Sequence, residues 1–452
     1  MKLLLCAAAL AGSLLAPAQT GICNIHCDGR EAVSPGREAV TATLAGRRIS
    51  LRFSDVEGMG WAVADGGPGA VLWLDRSFDG GTSWEPRLGQ TEDGATAMFN
   101  VDDWPGRRVG ALRACASAAG AVACTEWART TRHAGDRRSA AVTGLMQYYR
   151  QDTGLFSGTG WWNSANALTA VIDSGMAAYR HVIANTYDRN VSTALGQFRN
   201  DYVDDTGWWA LAWVAAYDAT GDRRYLTTAR AGADYMHSFW DGVCGGGVWW
   251  RIERTYKNAI TNALYVQLNA ALHNRVPSDT AYLVRARAGW AWFAGSGMVN
   301  AAHLVNDGLD TTTCRNNGHR TWTYNQGVVL SALVELHRAT GDPALLTTAR
   351  TLANASTTDP ALNPGGVLRE LCEPACDVTS ESFKGAYVRG LGRLDAALPD
   401  HPYRAYLGRQ ADSAYRTTRT ALDTYGLRWA GPRTPPTTST QQSAVDLMNA
   451  AH

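Results

Sequence analysis

Two stretches decide the architecture of this chain: ATGDRRYLTTAR at residues 219–230 and ATGDPALLTTAR at residues 339–350. They are near-copies set 120 residues apart, the length of two helical hairpins of about 60 residues each. Before each copy runs a segment that is apolar nearly all round, Trp208 to Tyr217 and Val328 to Leu336, and Ile260 to Leu272 has the same character. A helix of that kind must be buried on every side. A second kind, Arg223 to His237 and Leu345 to Ala355, carries Arg, Asp and Thr on one face. Helical segments are predicted to start near Ala140, Asn163, Arg189, Asp205, Asp222, Asn258, Ser278, Thr323, Asp342, Ser380, Pro402 and Ser439. Alternating buried and half-buried helices in hairpin repeats predict two concentric rings. Residues 138–452 are the right material for an (α/α)6 barrel. A helical solenoid is the competing architecture, but its repeats rarely bury one helix of each pair so completely.

Residues 19–130 read differently. Ala39 to Phe53 alternates Val, Thr, Leu and Ile, Ala70 to Asp75 is an apolar burst, and Val109 to Trp127 reads as a hairpin across Cys115 and Cys124. This predicts a small β-sandwich-like domain, joined by a polar linker at residues 131–137. Ser77-Phe-Asp79-Gly-Gly81-Thr-Ser-Trp84 resembles the Asp-box hairpin of sialidase propellers. It occurs once, so it predicts a turn and not a propeller.

Met1 and Lys2 precede an apolar run from Leu3 to Leu15 that ends in Ala16-Pro17-Ala18. That is the pattern of a secretory signal peptide, residues 1–18, and predicts an extracellular protein. No apolar run approaches the length needed to span a bilayer, so no membrane insertion is expected. Eight cysteines then remain, and proximity predicts disulfides Cys23–Cys27, Cys115–Cys124, Cys372–Cys376 and Cys244–Cys314. The formal net charge of +1 gives no case for nucleic acid as a partner. The ten histidines show no metal-ligand spacing, so neither a metal nor another cofactor is expected. A monomer is expected.

The chemistry centres on DYVDDTGWWALAW, residues 201–213. Asp204 and Asp205 lie side by side at the start of an apolar helix. An Asp there can simply cap the helix. Capping needs only one of them, and like charges held close raise each other's pKa. Cleavage of a glycosidic bond needs that situation, with one carboxylate ionised and the other protonated. With one aspartate still in the loop, both side chains can aim at one sugar. Neighbouring residues reach the shorter carboxyl separation of a retaining enzyme more easily than the longer one of an inverting enzyme.

The stretch Asp204-Asp205-Thr-Gly-Trp208-Trp209-Ala-Leu-Ala-Trp213 resembles the signature of glycoside hydrolase family 76, the endo-α-1,6-mannanases. Five further stretches resemble the same family in the expected order. They are Trp161-Trp162-Asn-Ser-Ala-Asn166, Gly246-Gly-Val-Trp249-Trp250, Tyr256-Lys257-Asn258-Ala-Ile-Thr261-Asn262, Tyr324-Asn325-Gln326-Gly327 and Phe383-Lys384-Gly385. The resemblance implies retaining hydrolysis of α-1,6-linked mannan, with Asp204 aligned to the nucleophile and Asp205 to the general acid/base. The partner it implies is an α-mannan polysaccharide or oligosaccharide. Trp208 on the helix, and Trp161, Trp162, Trp249 and Trp250 in Gly-rich loops, are candidate sugar contacts. Asn166, Asn258, Thr261, Tyr324, Asn325 and Gln326 at inner-helix starts, and Lys257, are candidate hydrogen-bonding groups. Capping or mutual satisfaction inside the barrel is the competing role for the polar ones. A mannan transglycosylase with the same residues, or a non-catalytic glycan-binding protein on the same scaffold, are the rival functions.

Overall fold

The computed structural model describes residues 27–33, 36–66, 69–193, 195–276 and 278–452. The expected signal peptide and the Cys23 half of the Cys23–Cys27 pairing lie outside them. The three other expected disulfides are present: Cys115–Cys124, Cys244–Cys314 and Cys372–Cys376.

The first part of the chain forms two four-stranded antiparallel sheets. Strands β1 (Arg37–Leu44), β2 (Arg47–Ser54), β3 (Met59–Ala64), β4 (Val71–Ser77), β5 (Glu85–Thr91), β6 (Phe99–Asn100), β7 (Ala111–Ala118) and β8 (Ala121–Cys124) run in the orders β1-β2-β3-β6 and β5-β4-β7-β8. Alternate residues of both sheets, among them Ile49, Leu51, Phe53, Leu72, Leu74, Leu112 and Ala114, meet in one apolar core. Cys115 and Cys124 face each other across the β7–β8 hairpin. The single Asp-box segment is the β4–β5 turn. Ser77 Oγ accepts from Gly81 N at 2.8 Å, and Asp79 Oδ1 accepts from Ser83 N at 2.8 Å.

Twelve α-helices follow among the described residues: α1 (Arg137–Met146), α2 (Trp161–Asp173), α3 (His181–Asn190), α4 (Val203–Thr220), α5 (Arg223–His237), α6 (Ala259–His273), α7 (Ala281–Gly295), α8 (Thr323–Thr340), α9 (Pro343–Thr358), α10 (Phe383–Ala397), α11 (Arg404–Thr417) and α12 (Thr438–Ala450). None is long and apolar enough to cross a membrane. α2 packs on α4, α4 on α6, α6 on α8, α8 on α10, α10 on α12 and α12 back on α2, so the six even-numbered helices close a ring. The odd-numbered helices pack outside it, α5 against α4 and α6, and α1 against α12 and α2. At the tightest crossing, a Cβ on Gly327 of α8 would lie 2.3 Å from the Tyr387 Cα of α10, so only glycine fits there.

The repeated ATGD is a pair of helix ends. Gly221 and Gly341 take left-handed φ of 73° and 72° and close α4 and α8. Asp222 and Asp342 then cap α5 and α9 with their side chains. One helix start differs from expectation. The third helix begins at His181, eight residues before the predicted Arg189, which lies in its last turn. Val182, Ile183, Thr186 and Asn190 form its buried face. The segment beyond turns at Gln197 and Phe198, both with positive φ.

Five of the ring helices hold the loop before them by a polar side chain at the fourth position. Ser164, Thr206, Asn262, Gln326 and Gln441 accept from the backbone N–H groups of Phe156, Asn200, Val248, Val305 and Tyr425. A buried amide used this way satisfies backbone that would otherwise be orphaned, and it pins loops over one mouth of the ring.

Candidate active site

The site is built where α4 begins. Tyr202 is the N-cap and makes no side-chain cap. Val203 N donates to Trp250 O at 2.8 Å, and Ile252 N donates to Asp201 O at 3.1 Å, which ties the 250–252 loop beside the helix start. Asp204 and Asp205 both lie inside the first turn. The expectation that one stays in the loop is therefore corrected: the helix starts at Val203, because Tyr202 keeps extended backbone while its neighbours pair with the loop. Neither aspartate side chain caps the helix. Each is held by one neutral donor. Trp250 Nε1 donates to Asp204 Oδ2 at 3.1 Å, and Asn200 Nδ2 donates to Asp205 Oδ2 at 2.7 Å. Asp204 Oδ1 is buried with no hydrogen-bond partner.

No basic side chain is ion-paired with either acid among the described residues. Burial pushes Asp204 well above the ordinary carboxylate range, and the adjacent Asp205 charge adds to it. Burial also pushes Asp205 up to about 7, against the Asn200 bond that favours its ionised form. Two such carboxylates titrate as one unit, and near neutral pH the unit retains a proton that exposed aspartates would have lost.

Aromatic rings surround the pair. Trp250 contacts Tyr202 at 5.2 Å and Tyr256 at 6.0 Å between ring centroids. Across from them, Tyr324 stacks on Phe383 at 3.8 Å, and Phe383 also meets Trp162 and Trp322. Trp162, Tyr202, Trp250, Tyr256, Trp322 and Tyr324 are all half-buried, which leaves ring surface open at this mouth. Burial raises the Tyr324 hydroxyl well above its usual range, and the charges of Asp307 and Asp204 add to the push, so that hydroxyl stays protonated. Asp307 Oδ2 accepts from Tyr256 OH at 2.7 Å, and its Oδ1 accepts from Asn325 Nδ2 at 3.3 Å.

The helical offset separates the tryptophan pairs. Trp162 and Trp208 stack at 5.4 Å on the site side. Trp161 turns away, stacking on Phe198 and touching Trp209 in the layer between ring and outer helices. The expectation that Trp161 and Trp162 sit in a Gly-rich loop is corrected: they open α2, and Gly160 is its N-cap. Trp249 is 5% exposed, and its indole donates to Asp241 Oδ2 at 2.6 Å.

Several expected ligand contacts are corrected by their burial. Lys257 is 0% exposed, and its ammonium donates to Asp241 Oδ1, Val243 O and Gly246 O, so all three donors are consumed by the 241–246 loop. Gln326 spends its amide on Val305 N, Val305 O and Trp322 O. Asn258 caps α6 by accepting from Thr261 N, and Thr261 is fully buried. Asn166 donates to Trp162 O and accepts from Arg389. These residues build the ring and its loops. Asn200 and Asp307 had not been singled out. Each sits among other polar residues of a loop, Asn200 between Arg199 and Asp201 and Asp307 after Asn306, and nothing in the local pattern distinguishes it. The one potential metal-ligating cluster among the described residues, Asp75 with Cys115 and Cys124, has both its sulfurs joined to each other.

The model of a family described as glycosyl hydrolase family 76 matches residues 134–452. The mannan endo-1,6-alpha-mannosidase DCW1 of Saccharomyces cerevisiae is 26% identical over 332 residues, covering 64% of this chain and 72% of that relative. A putative mannan endo-1,6-alpha-mannosidase of Schizosaccharomyces pombe is 28% identical over 279 residues, 56% of this chain; the chain spans 63% of that relative's length. The solved structure of the GH76A alpha-1,6-mannanase from a Salegentibacter species superposes with a TM-score of 0.62 at 24% identity, covering 70% of this chain and 98% of that one. An inactive variant of it, with two consecutive aspartates replaced by asparagine, is in complex with alpha-1,6-mannotriose and superposes equally well.

Proposed function

The chain belongs to glycosyl hydrolase family 76, and from that premise we propose that it is a secreted, retaining hydrolase of α-1,6-mannosidic linkages in mannan, working through a glycosyl-enzyme intermediate. The observation that carries this reading is the pair Asp204 and Asp205: consecutive, Asp205 buried and Asp204 half-buried, unaccompanied by a cation and each held by a neutral side-chain N–H. By the resemblance to the family signature Asp204 is the nucleophile and Asp205 the general acid/base; burial raises both, and the pair shares its proton as one unit, so the direction of the shifts does not order them. The Asp204 carboxylate attacks the anomeric carbon while the Asp205 carboxylic acid gives its proton to the departing glycosidic oxygen. Water then gives a proton to Asp205 and attacks the same carbon, releasing Asp204, and the two displacements retain the anomeric configuration. Trp250 and Asn200 hold the two carboxylates, and the α4 N-terminus favours the ionised one.

The closed ring of even-numbered helices and its outer partners support an (α/α)6 barrel for residues 138–452. The two sheets of residues 19–130 then form an accessory β-sandwich, and 131–137 the linker. Trp162, Trp250 and Tyr324 offer ring faces to the sugars, Asn325 lies beside them, and the buried Trp208 backs Trp162; the first four are the proposed substrate contacts. The relatives, mannan endo-1,6-alpha-mannosidases and an alpha-1,6-mannanase, support α-1,6-mannan as the substrate.

The test is product analysis on linear α-1,6-mannan, with the anomeric configuration followed by NMR. New reducing ends whose first-formed product is the α-anomer are expected. A β-anomer overturns retention, and longer chains without net reducing ends make the protein a transglycosylase. Unaltered mannan that the parent and the Asp204→Asn variant bind equally leaves only a glycan-binding protein.

A further inference from the structure

The ring has a second mouth, at the C-terminal ends of its helices, and there a cavity of about 430 Å³ opens. Its roof is Trp208, the same indole that stacks on Trp162 toward the aspartates. Two polar side chains in its wall have no hydrogen-bond partner among the described residues: Gln267 of α6 and Ser331 of α8, each only 4% exposed. Their amide and hydroxyl open on the cavity with no protein group to bond, so they are free to bond a guest in place of water. The charges at this mouth cancel in pairs. Arg275 faces Asp218 and Glu335, Arg338 faces Glu335, Arg393 faces Asp173, and Arg389 faces Asp446 behind the wall. A charged guest would therefore find no net field, whereas a neutral polyol can both donate to the carboxylates and accept from the guanidiniums. An indole face, unpaired amide and hydroxyl groups and paired charges are the chemistry that recognises a sugar ring.

We propose that this lower cavity is a second, non-catalytic binding site for one neutral hexose unit, seated under Trp208 and hydrogen-bonded by Gln267 and Ser331. The proposal stands apart from the roles assigned to Asp204 and Asp205. It places an occupant one helical turn below the catalytic pair on α4, since Asp204 and Trp208 are four residues apart.

The experiment uses the full chain with methyl α-D-mannopyranoside as the probe. Crystals soaked in it are expected to show the sugar against Trp208, with hydroxyls on Gln267 and Ser331. In calorimetric titration, the Gln267→Leu/Ser331→Ala double variant is expected to bind at this site at least tenfold more weakly. Its turnover of mannan, or in an inactive chain its affinity at the Asp204 end, stays within twofold of the parent. Sugar density confined to the Asp204 end, or water alone in the cavity, overturns the proposal, as does unchanged affinity in the double variant. Should that variant not fold, the soaked parent crystal decides the question alone.

Discussion

At the upper mouth of the ring Asp205 is 9% exposed, and at the lower mouth Glu335 is 8% exposed. Both are acids on ring helices, and burial pushes both upward. At Asp205 nothing but one amide opposes the push, and the acid rises to about 7. At Glu335, Arg275, Asn274 and Arg338 outweigh it and hold the acid below its usual range. Equal burial gives opposite titration, so company and not depth separates a reactive carboxylate from a structural one. The lysines show the limit of company: Lys257 pairs with Asp241 at 2.8 Å and Lys384 with Glu373 at 2.6 Å, yet burial still holds both ammonium groups below their usual range.

The comparison breaks most decisively at the aspartates. Asp204→Asn and Asp205→Asn should each lower kcat/KM on α-1,6-mannan about 1,000-fold or more, as for residues that act as a unit in the chemical step; reducing-end release measures it. Stability should move the other way. Both aspartates hold their protons more tightly folded than unfolded, so the parent loses stability as pH climbs above about 4; the Asp205 part of the loss is complete above about 7, and Asp204 adds a loss of the same sign. The double asparagine variant should lack that decline in thermal melts. Glu335 carries the opposite sign: it stabilises above its unfolded pKa and loses that contribution as pH falls through its lower folded value.

Removing Arg275 leaves Glu335 with less compensation, and Arg275→Ala should cost about 2 to 3 kcal/mol in denaturant unfolding. Asn200→Ala removes the donor to Asp205, so the alkaline limb of the pH–rate profile should move upward and kcat fall about tenfold. A profile that keeps its shape would show that Asn200 only supports the fold. The smallest effect belongs to Arg393→Ala, whose pair with Asp173 is about one-third exposed and should be worth under about 1 kcal/mol.

Much of this contrast is half-visible in the chain. DYVDDTGWWALAW announces paired acids on a buried helix, and the repeated ATGD announces where two ring helices stop and their outer partners start. The pairing of Trp162 with Trp208, and of Trp161 with Trp209, follows from helical offset alone once the helix starts are known. Composition alone does not separate a ligand group from a cap among the polar residues at inner-helix starts. Gln326, Asn166 and Lys257 have the composition of a sugar-binding site, but their donors and acceptors are taken by backbone and neighbouring side chains, and the Asn258 oxygen is taken by the helix cap.

By itself, the amino-acid sequence determined the alternation of buried and half-buried helices, the β-rich leading region, three disulfide pairings and the two acids at the head of α4. Those are properties of local pattern, set by period, cap and proximity along the chain. Only the tertiary structure decided which polar groups are spent and which are free, that Asn200 and Trp250 hold the acids, and that no cation accompanies them. Each depends on residues far apart in sequence meeting in a low-dielectric interior, where a single partner gained or missing reverses the sign of a titration.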